Sequence, residues 1–185
     1  MNGKAVLISI RPEWCKKILS GQKTIEVRKT RPKLEAPFKV YIYCTKSTAE
    51  KFWTGPLYAY VDDHSHNAFD KCGNGKVIGE FICSDIGVYE FEHCPHPEIE
   101  GIGDYADSWY GICDEELKQT CLSEIDFTMY GEGDTLYGWY ISDLHIYDTP
   151  RELRDFTGLR ETRFGMEFLP VTRPPQSWRF VEELK

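Results

Sequence analysis

The residues best placed to do chemistry lie in one octet, Gly21-Gln22-Lys23-Thr24-Ile25-Glu26-Val27-Arg28. A lysine, a carboxylate and an arginine follow one another at spacings of three and two. Thr24 to Lys29 alternates in polarity, so Ile25 and Val27 share one face of a strand while Thr24, Glu26 and Arg28 share the other. Glu26 and Arg28 then stand roughly 7 Å apart at Cβ. Arg28 can hold Glu26 in place, and Lys23, at the turn made by Gly21, can press in beside it. Such a set grips a phosphate or a carboxylate, or keeps one carboxylate as an acceptor or general base. An exposed strand face of alternating charge has the same pattern, and spacing alone leaves both readings open.

Other candidates are scattered. Lys46 follows a strand ending at Cys44 and is a candidate phosphate contact. Trp139, Tyr140 and Trp178 are candidates for stacking on bases, a contact worth about 1–3 kcal/mol per base, or are core rings. Strand alternation puts Trp139 and Tyr140 on opposite faces. Ser142 shares a face with Tyr140 and is either a donor in a cleft or a plain strand residue. His145 reads as a packed or surface histidine. No Ser-His-Asp ordering, P-loop or dinucleotide fingerprint is visible.

The chain has 185 residues, 41% hydrophobic and 28% charged, with 26 aromatic rings (5 Trp, 11 Tyr, 10 Phe). Length and composition predict one globular domain, residues 1–185, and exclude a collagen or a coiled coil. That many rings favours β-rich packing or a surface that stacks on flat ligands. No apolar run approaches the roughly 20 residues that span a bilayer. The run after Lys4 stops at Arg11, too soon for a secretory signal. Seven cysteines cannot all pair within one chain, and no C-x-x-C occurs. Reduced thiols in a cytoplasmic protein are expected. His93-Cys94-Pro95-His96, and His64 and His66 with Cys72, lack the paired spacing of zinc sites and read as loop histidines and ordinary thiols. Neither a metal nor a cofactor is expected.

Net charge is −8, which argues against a non-specific nucleic-acid binder. The distribution is uneven. Residues 1–54 hold 12 Lys/Arg against 4 Asp/Glu, residues 55–148 hold 3 against 20, and residues 149–185 hold 7 against 6. A basic amino-terminal third can present a positive field despite the global sign. The acidic middle confines nucleic acid to one face, or the two segments simply pair with each other across the fold.

The elements that must position these groups are readable in outline. Ala5 to Ile10 is an apolar strand. Pro12 opens a two-turn helix with Trp14, Cys15, Ile18 and Leu19 on one stripe, ended by Gly21. Thr24 to Lys29 and Phe38 to Cys44 are strands. Ser47 caps a short helix through Phe52. Lys76 to Phe91 is a long β run, bulged near Ser84–Gly87, and Leu136 to Tyr147 is the strongest strand. Residues 93–135 carry weak helical patterns, with Asp114 and Ser123 as caps, and read as an inserted acidic helical lobe. Residues 54–75 read as a second, irregular insertion. Thr149-Pro150-Arg151-Glu152 reads as a capping box with proline at the first helical position, and Ser177 to Glu182 as a last strand. The sum is an α+β domain on a twisted, barrel-like antiparallel sheet with flanking short helices.

Here the sequence resembles a known family. Leu7 through Arg31 is similar to the ASCH domain, a relative of the PUA-like β-barrels, whose signature G-x-K-x-x-E-x-R is matched by Gly21, Lys23, Glu26 and Arg28. The Ser9-Ile10-Arg11-Pro12 approach to the first helix is similar too. Gly138-Trp139-Tyr140-Ile141-Ser142 and Pro174-Pro175-Gln176-Ser177-Trp178 resemble a phage or mobile-element branch. The resemblance covers roughly residues 4–50, 76–90 and 136–182. It implies a PUA-like barrel with a cleft beside the signature, faced by Arg11, Lys23, Glu26 and Arg28, that binds RNA or a nucleotide. The amidohydrolase branch carries a threonine nucleophile three residues after the lysine. Glu26 stands there in this chain.

Two functions of different class follow. The first is a module that binds RNA or a nucleotide on a basic cleft formed by Arg11, Lys23, Glu26, Arg28, Lys46, Tyr140 and Ser142. The second is a hydrolase acting on RNA or a modified nucleoside, with Glu26 as base and Lys23 stabilising developing negative charge. A protein partner for the acidic lobe is a further possibility, and no membrane partner is expected.

Overall fold

The computed structural model describes residues 3–48, 72–94 and 106–184. The helix expected at Ser47–Phe52, His64, His66, His96 and most of the 54–75 insertion lie outside them. The chain order is β1 (Lys4–Ile10), α1 (Pro12–Leu19), β2 (Ile25–Arg28), β3 (Phe38–Cys44), β4 (Val77–Cys94), β5 (Ala106–Tyr110), α2 (Asp114–Thr120), α3 (Glu124–Gly131), β6 (Leu136–Arg151), a 3-10 turn (Leu153–Asp155), β7 (Thr157–Thr162), β8 (Gly165–Pro170) and β9 (Trp178–Glu182). None of the described helices is long and apolar enough to cross a membrane.

One mixed sheet runs in the order β2-β6-β4-β3-β1-β9-β7-β8, with β5 added along the far end of β4. Two features depart from the expected antiparallel barrel. β1 and β3 are parallel, Ile10 pairing with Cys44, because α1 and β2 intervene as a crossover. Among the described residues the sheet is also not closed: β2 and β8 are its two ends, and no ladder joins β2 to β1. The seam is bridged by side chains instead. Arg28 Nη2 on β2 donates to the Ser9 carbonyl on β1 at 2.6 Å. Trp178 Nε1 on β9 donates to Thr30 Oγ1 at 3.0 Å.

β1 is apolar on both faces because it is buried on both. On one side Val6, Ile8 and Ile10 pack with Val40, Ile42, Phe81, Trp139 and the Cys15 and Ile18 stripe of α1. On the other, Ala5 and Leu7 pack with Tyr41, Tyr43, Phe156, Val171 and Val181. A third cluster seats α3 through Phe127 on Ile25, Val27, Tyr89 and Leu136. The acidic middle is thus not purely helical. β5 extends the sheet there, and Trp109 from β5 packs edge-on against Phe127 at 4.8 Å. The capping box read at Thr149 is corrected as well. β6 runs on to Arg151, which pairs with Val77, so strand pairing overrides the local helix signal, and only a 3-10 turn follows.

Gly138 lets β6 approach the Tyr89 ring closely. A Cβ there would lie 2.3 Å from the Tyr89 hydroxyl and 2.7 Å from its ring, and the backbone is held on both sides by Val27 and Gly87. Gly138→Ala is expected to cost about 1–3 kcal/mol through overpacking, read as a lower urea midpoint at unchanged m-value. An unchanged midpoint would contradict this packing.

Candidate functional site

The signature residues converge. Gly21, at φ 74°, ends α1, and the Lys23 N–H returns to the Lys17 carbonyl at 3.0 Å. This hairpin turn sends Lys23 beneath the sheet end rather than into solvent. Glu26 and Arg28 follow on one face of β2 as alternation requires. Lys23 Nζ lies 3.3 Å from Glu26 Oε2, and Arg28 Nη2 lies 2.8 Å from Glu26 Oε1.

The triad is buried, however, and this corrects the open basic hollow that the sequence predicts. Lys23 is 3% exposed and Glu26 5%. Besides Glu26, Lys23 Nζ donates to the carbonyls of Ile25 at 2.9 Å and Thr120 at 2.6 Å. An ammonium has three N–H groups, so all three are spent inside the protein. Thr120 ends α2, and the same helix accepts the Thr24 N–H at Gln119 at 3.1 Å. The acidic segment is therefore strapped over the signature. Burial draws the Lys23 ammonium below its ordinary pKa, against the opposing pull of Glu26. Its charge is also faced by the Trp14 ring at 5.1 Å. Both carboxylate oxygens of Glu26 are occupied, so neither Lys23 nor Glu26 is free to act on an outside substrate while α2 is seated.

Arg28 carries the triad outward to Ser9. The Ser9 carbonyl takes the Arg28 Nη2, its N–H donates to the Ser177 carbonyl at 2.9 Å, and its hydroxyl donates to the Pro175 carbonyl at 2.6 Å. Every polar group of Ser9 is thereby fixed. Ser9 forms part of the wall of a cleft of about 680 Å³, also lined by Tyr43, Thr45, Lys46, Glu152, Arg154 and Gln176. Glu152 is paired with Lys76 at 3.5 Å. Lys46 and Arg154 are exposed, and among the described residues neither has an ionic partner.

The other expected site residues are dispersed. Arg11 is exposed and 3.9 Å from Glu13. It leaves the same end of the β1–β3 pair as Lys46, since the Thr45 N–H donates to the Ile10 carbonyl at 2.8 Å. The Tyr140 hydroxyl is bonded to Glu116 of α2, and Ser142 donates to the Ile82 carbonyl at 3.1 Å. Neither lines the cleft. Trp139 is fully buried in the core, edge-on to Phe38. Among the described residues no three His, Cys, Asp or Glu side chains gather as a metal-ligand set. Sequence reasoning missed Arg154, because its position depends on the 3-10 turn rather than on a motif. Ser9 and Gln176 stood in recognisable segments, but nothing in the sequence brings those segments together.

Residues 8–148 match the family model of the ASCH domain. Solved structures with similarity include the ASCH protein of Zymomonas mobilis, at 18% identity over 97% of this chain and 88% of that one, with a TM-score of 0.48. Two single-substitution variants of the same Zymomonas mobilis protein also match at 18% identity. One covers 98% of this chain and 92% of its own at TM-score 0.48. The other covers 97% and 89% at 0.47. No curated protein matches the chain.

The triad's burial sets an order of stability. Lys23→Met leaves the Thr120 and Ile25 carbonyls without their donor and is expected to cost about 2–4 kcal/mol. Glu26→Gln leaves two buried cations facing each other and is expected to cost more, about 3–5 kcal/mol. Urea unfolding of both variants checks this. Wild-type stability in Lys23→Met would show that the lysine is not held as described.

Proposed function

This chain belongs to the ASCH domain family, whose PUA-like members generally bind RNA, and from that premise we propose that it binds RNA or a nucleotide at the Ser9 cleft. The supporting observation is the pair of exposed cations, Lys46 and Arg154, on a cleft whose wall is locked by the buried triad through Ser9. Phosphate groups are the natural partners of an ammonium and a guanidinium fork that line one cleft. Arg11 extends the cationic edge along the same strand ends. Gln176 and the Thr45 hydroxyl supply an amide and a donor for the base or sugar.

In this reading Lys23, Glu26 and Arg28 are positioning residues. They fix the carbonyl of Ser9, hold β2 to β1 across the open seam, and set the shape of the wall that the ligand meets. Binding is favoured over hydrolysis because the carboxylate and ammonium that would do the chemistry have their hydrogen-bonding capacity spent internally.

Titration of a fluorescent single-stranded RNA by anisotropy, across a salt series, tests the proposal. Lys46→Ala and Arg154→Ala are expected to weaken binding several-fold and each to reduce the salt slope by about one. Both are surface changes expected to leave the unfolding midpoint unmoved. Undiminished affinity in the double variant would overturn the cleft as the binding site.

A further inference from the structure

The β7–β8 hairpin ends the sheet, and among the described residues the outer edge of β8 pairs with nothing. Every residue of β8 is exposed. Natural edge strands are usually short, charged, bulged or covered, because an open row of backbone groups templates further pairing. β8 instead carries Met166, Phe168 and Leu169 exposed at 40%, 54% and 54%, with Phe164 at the turn exposed at 85%. Its one charged side chain is Glu167, which sits opposite Arg160 of β7.

The hairpin fixes which backbone groups face outward. Thr162 and Gly165 pair across a two-residue turn, which makes them a hydrogen-bonded pair. At the far end the Val171 N–H donates to the Phe156 carbonyl at 2.9 Å. Residues 165, 167, 169 and 171 therefore point their backbone groups inward to the sheet. Met166, Phe168 and Pro170 point theirs outward. The open edge offers two N–H donors, from Met166 and Phe168, and three carbonyls. Pro170 has no N–H to offer, and it sits where a donor is not needed by β7.

We propose that this edge pairs with the β8 edge of a second copy of the chain, antiparallel, about a twofold axis at Phe168. In that register Phe168 and the partner's Phe168 exchange two hydrogen bonds. The Met166 N–H of each copy donates to the Pro170 carbonyl of the other. Proline then ends the ladder on both sides, so the pairing closes as an isologous dimer and does not propagate. A twofold axis normal to the sheet keeps side chains of like parity on one face, which leaves one other central register. It sets Glu167 directly against the partner's Glu167, a destabilising like-charge pair. The Phe168-centred register sets each Glu167 beside the partner's Leu169 and leaves it facing its own Arg160. The four exposed apolar side chains and the strand backbone cover on the order of 1,000 Å² in total, the lower bound for a specific interface. A reversible dimer is the form this favours.

Sedimentation velocity of the full chain over a wide concentration range tests the proposal. The mass is expected to rise from one chain towards two. Phe168→Lys places two ammonium groups against each other on the axis and is expected to halve the mass at high concentration. At low concentration, where both chains are monomeric, its circular dichroism and thermal midpoint should match the wild type, since the side chain is exposed in the single chain. Hydrogen exchange gives the register: the Met166 and Phe168 amides gain protection as concentration rises, while those of Glu167 and Leu169 are protected throughout. A wild-type chain that stays monomeric, a dimer that survives Phe168→Lys, or a monomer holding a foreign strand on β8 would each overturn it.

Discussion

The hydrogen bond from Arg28 to the Ser9 carbonyl is the constraint on which the rest depends. The sheet curls but is not closed by a β ladder, so something other than backbone pairing must hold β2 against β1. A guanidinium does this well because it stays charged and each terminal nitrogen carries two N–H donors. Here Nη2 serves both Glu26 and Ser9. Glu26 in turn carries Lys23, and Lys23 carries α2 through Thr120. One chain of charge-assisted contacts thus runs from the cleft wall, across the seam, to the acidic segment.

Burying two cations and one anion is costly, and the geometry shows how that cost is offset. Three carbonyls, those of Ile25, Thr120 and Ser9, turn their oxygens to the excess positive charge. The Trp14 ring adds its negative face. An apolar triad of similar volume would satisfy the same space with less desolvation. What the charged version supplies is register: a lysine pinned to a carbonyl far along the chain fixes how α2 lies over β2. The cleft wall lies one residue beyond that pinned network, at Ser9.

Local pattern made part of this legible and distance hid the rest. α1 was readable because Pro12, the Cys15 and Ile18 stripe and Gly21 all lie within ten residues and agree. β3 was readable over Phe38–Cys44, and Ser123 was readable as the cap of α3. The convergence of Glu26 and Arg28 followed from strand alternation alone. Their burial did not, because the lid comes from Thr120, 97 positions away from Lys23. β5 and the β7–β8 hairpin escaped notice for a related reason. β8 is exposed on both faces and so carries no alternation to read. At Thr149-Pro150 a sound local signal lost to long-range pairing of Arg151 with Val77. The cleft joins β1, the end of β3, the 3-10 turn and the Pro174–Gln176 segment, four pieces that no single stretch of sequence connects.

Lysine-reactive footprinting with and without single-stranded RNA tests the central claim most directly, since it reads Lys46 and Lys23 in one sample. Acetylation is predicted to label Lys46 readily in the free protein and to be blocked there by RNA, with Lys23 unlabelled in both states. Labelling of Lys23 in the free protein, or loss of labelling elsewhere with Lys46 unaffected, would contradict a buried positioning triad behind an open cationic cleft.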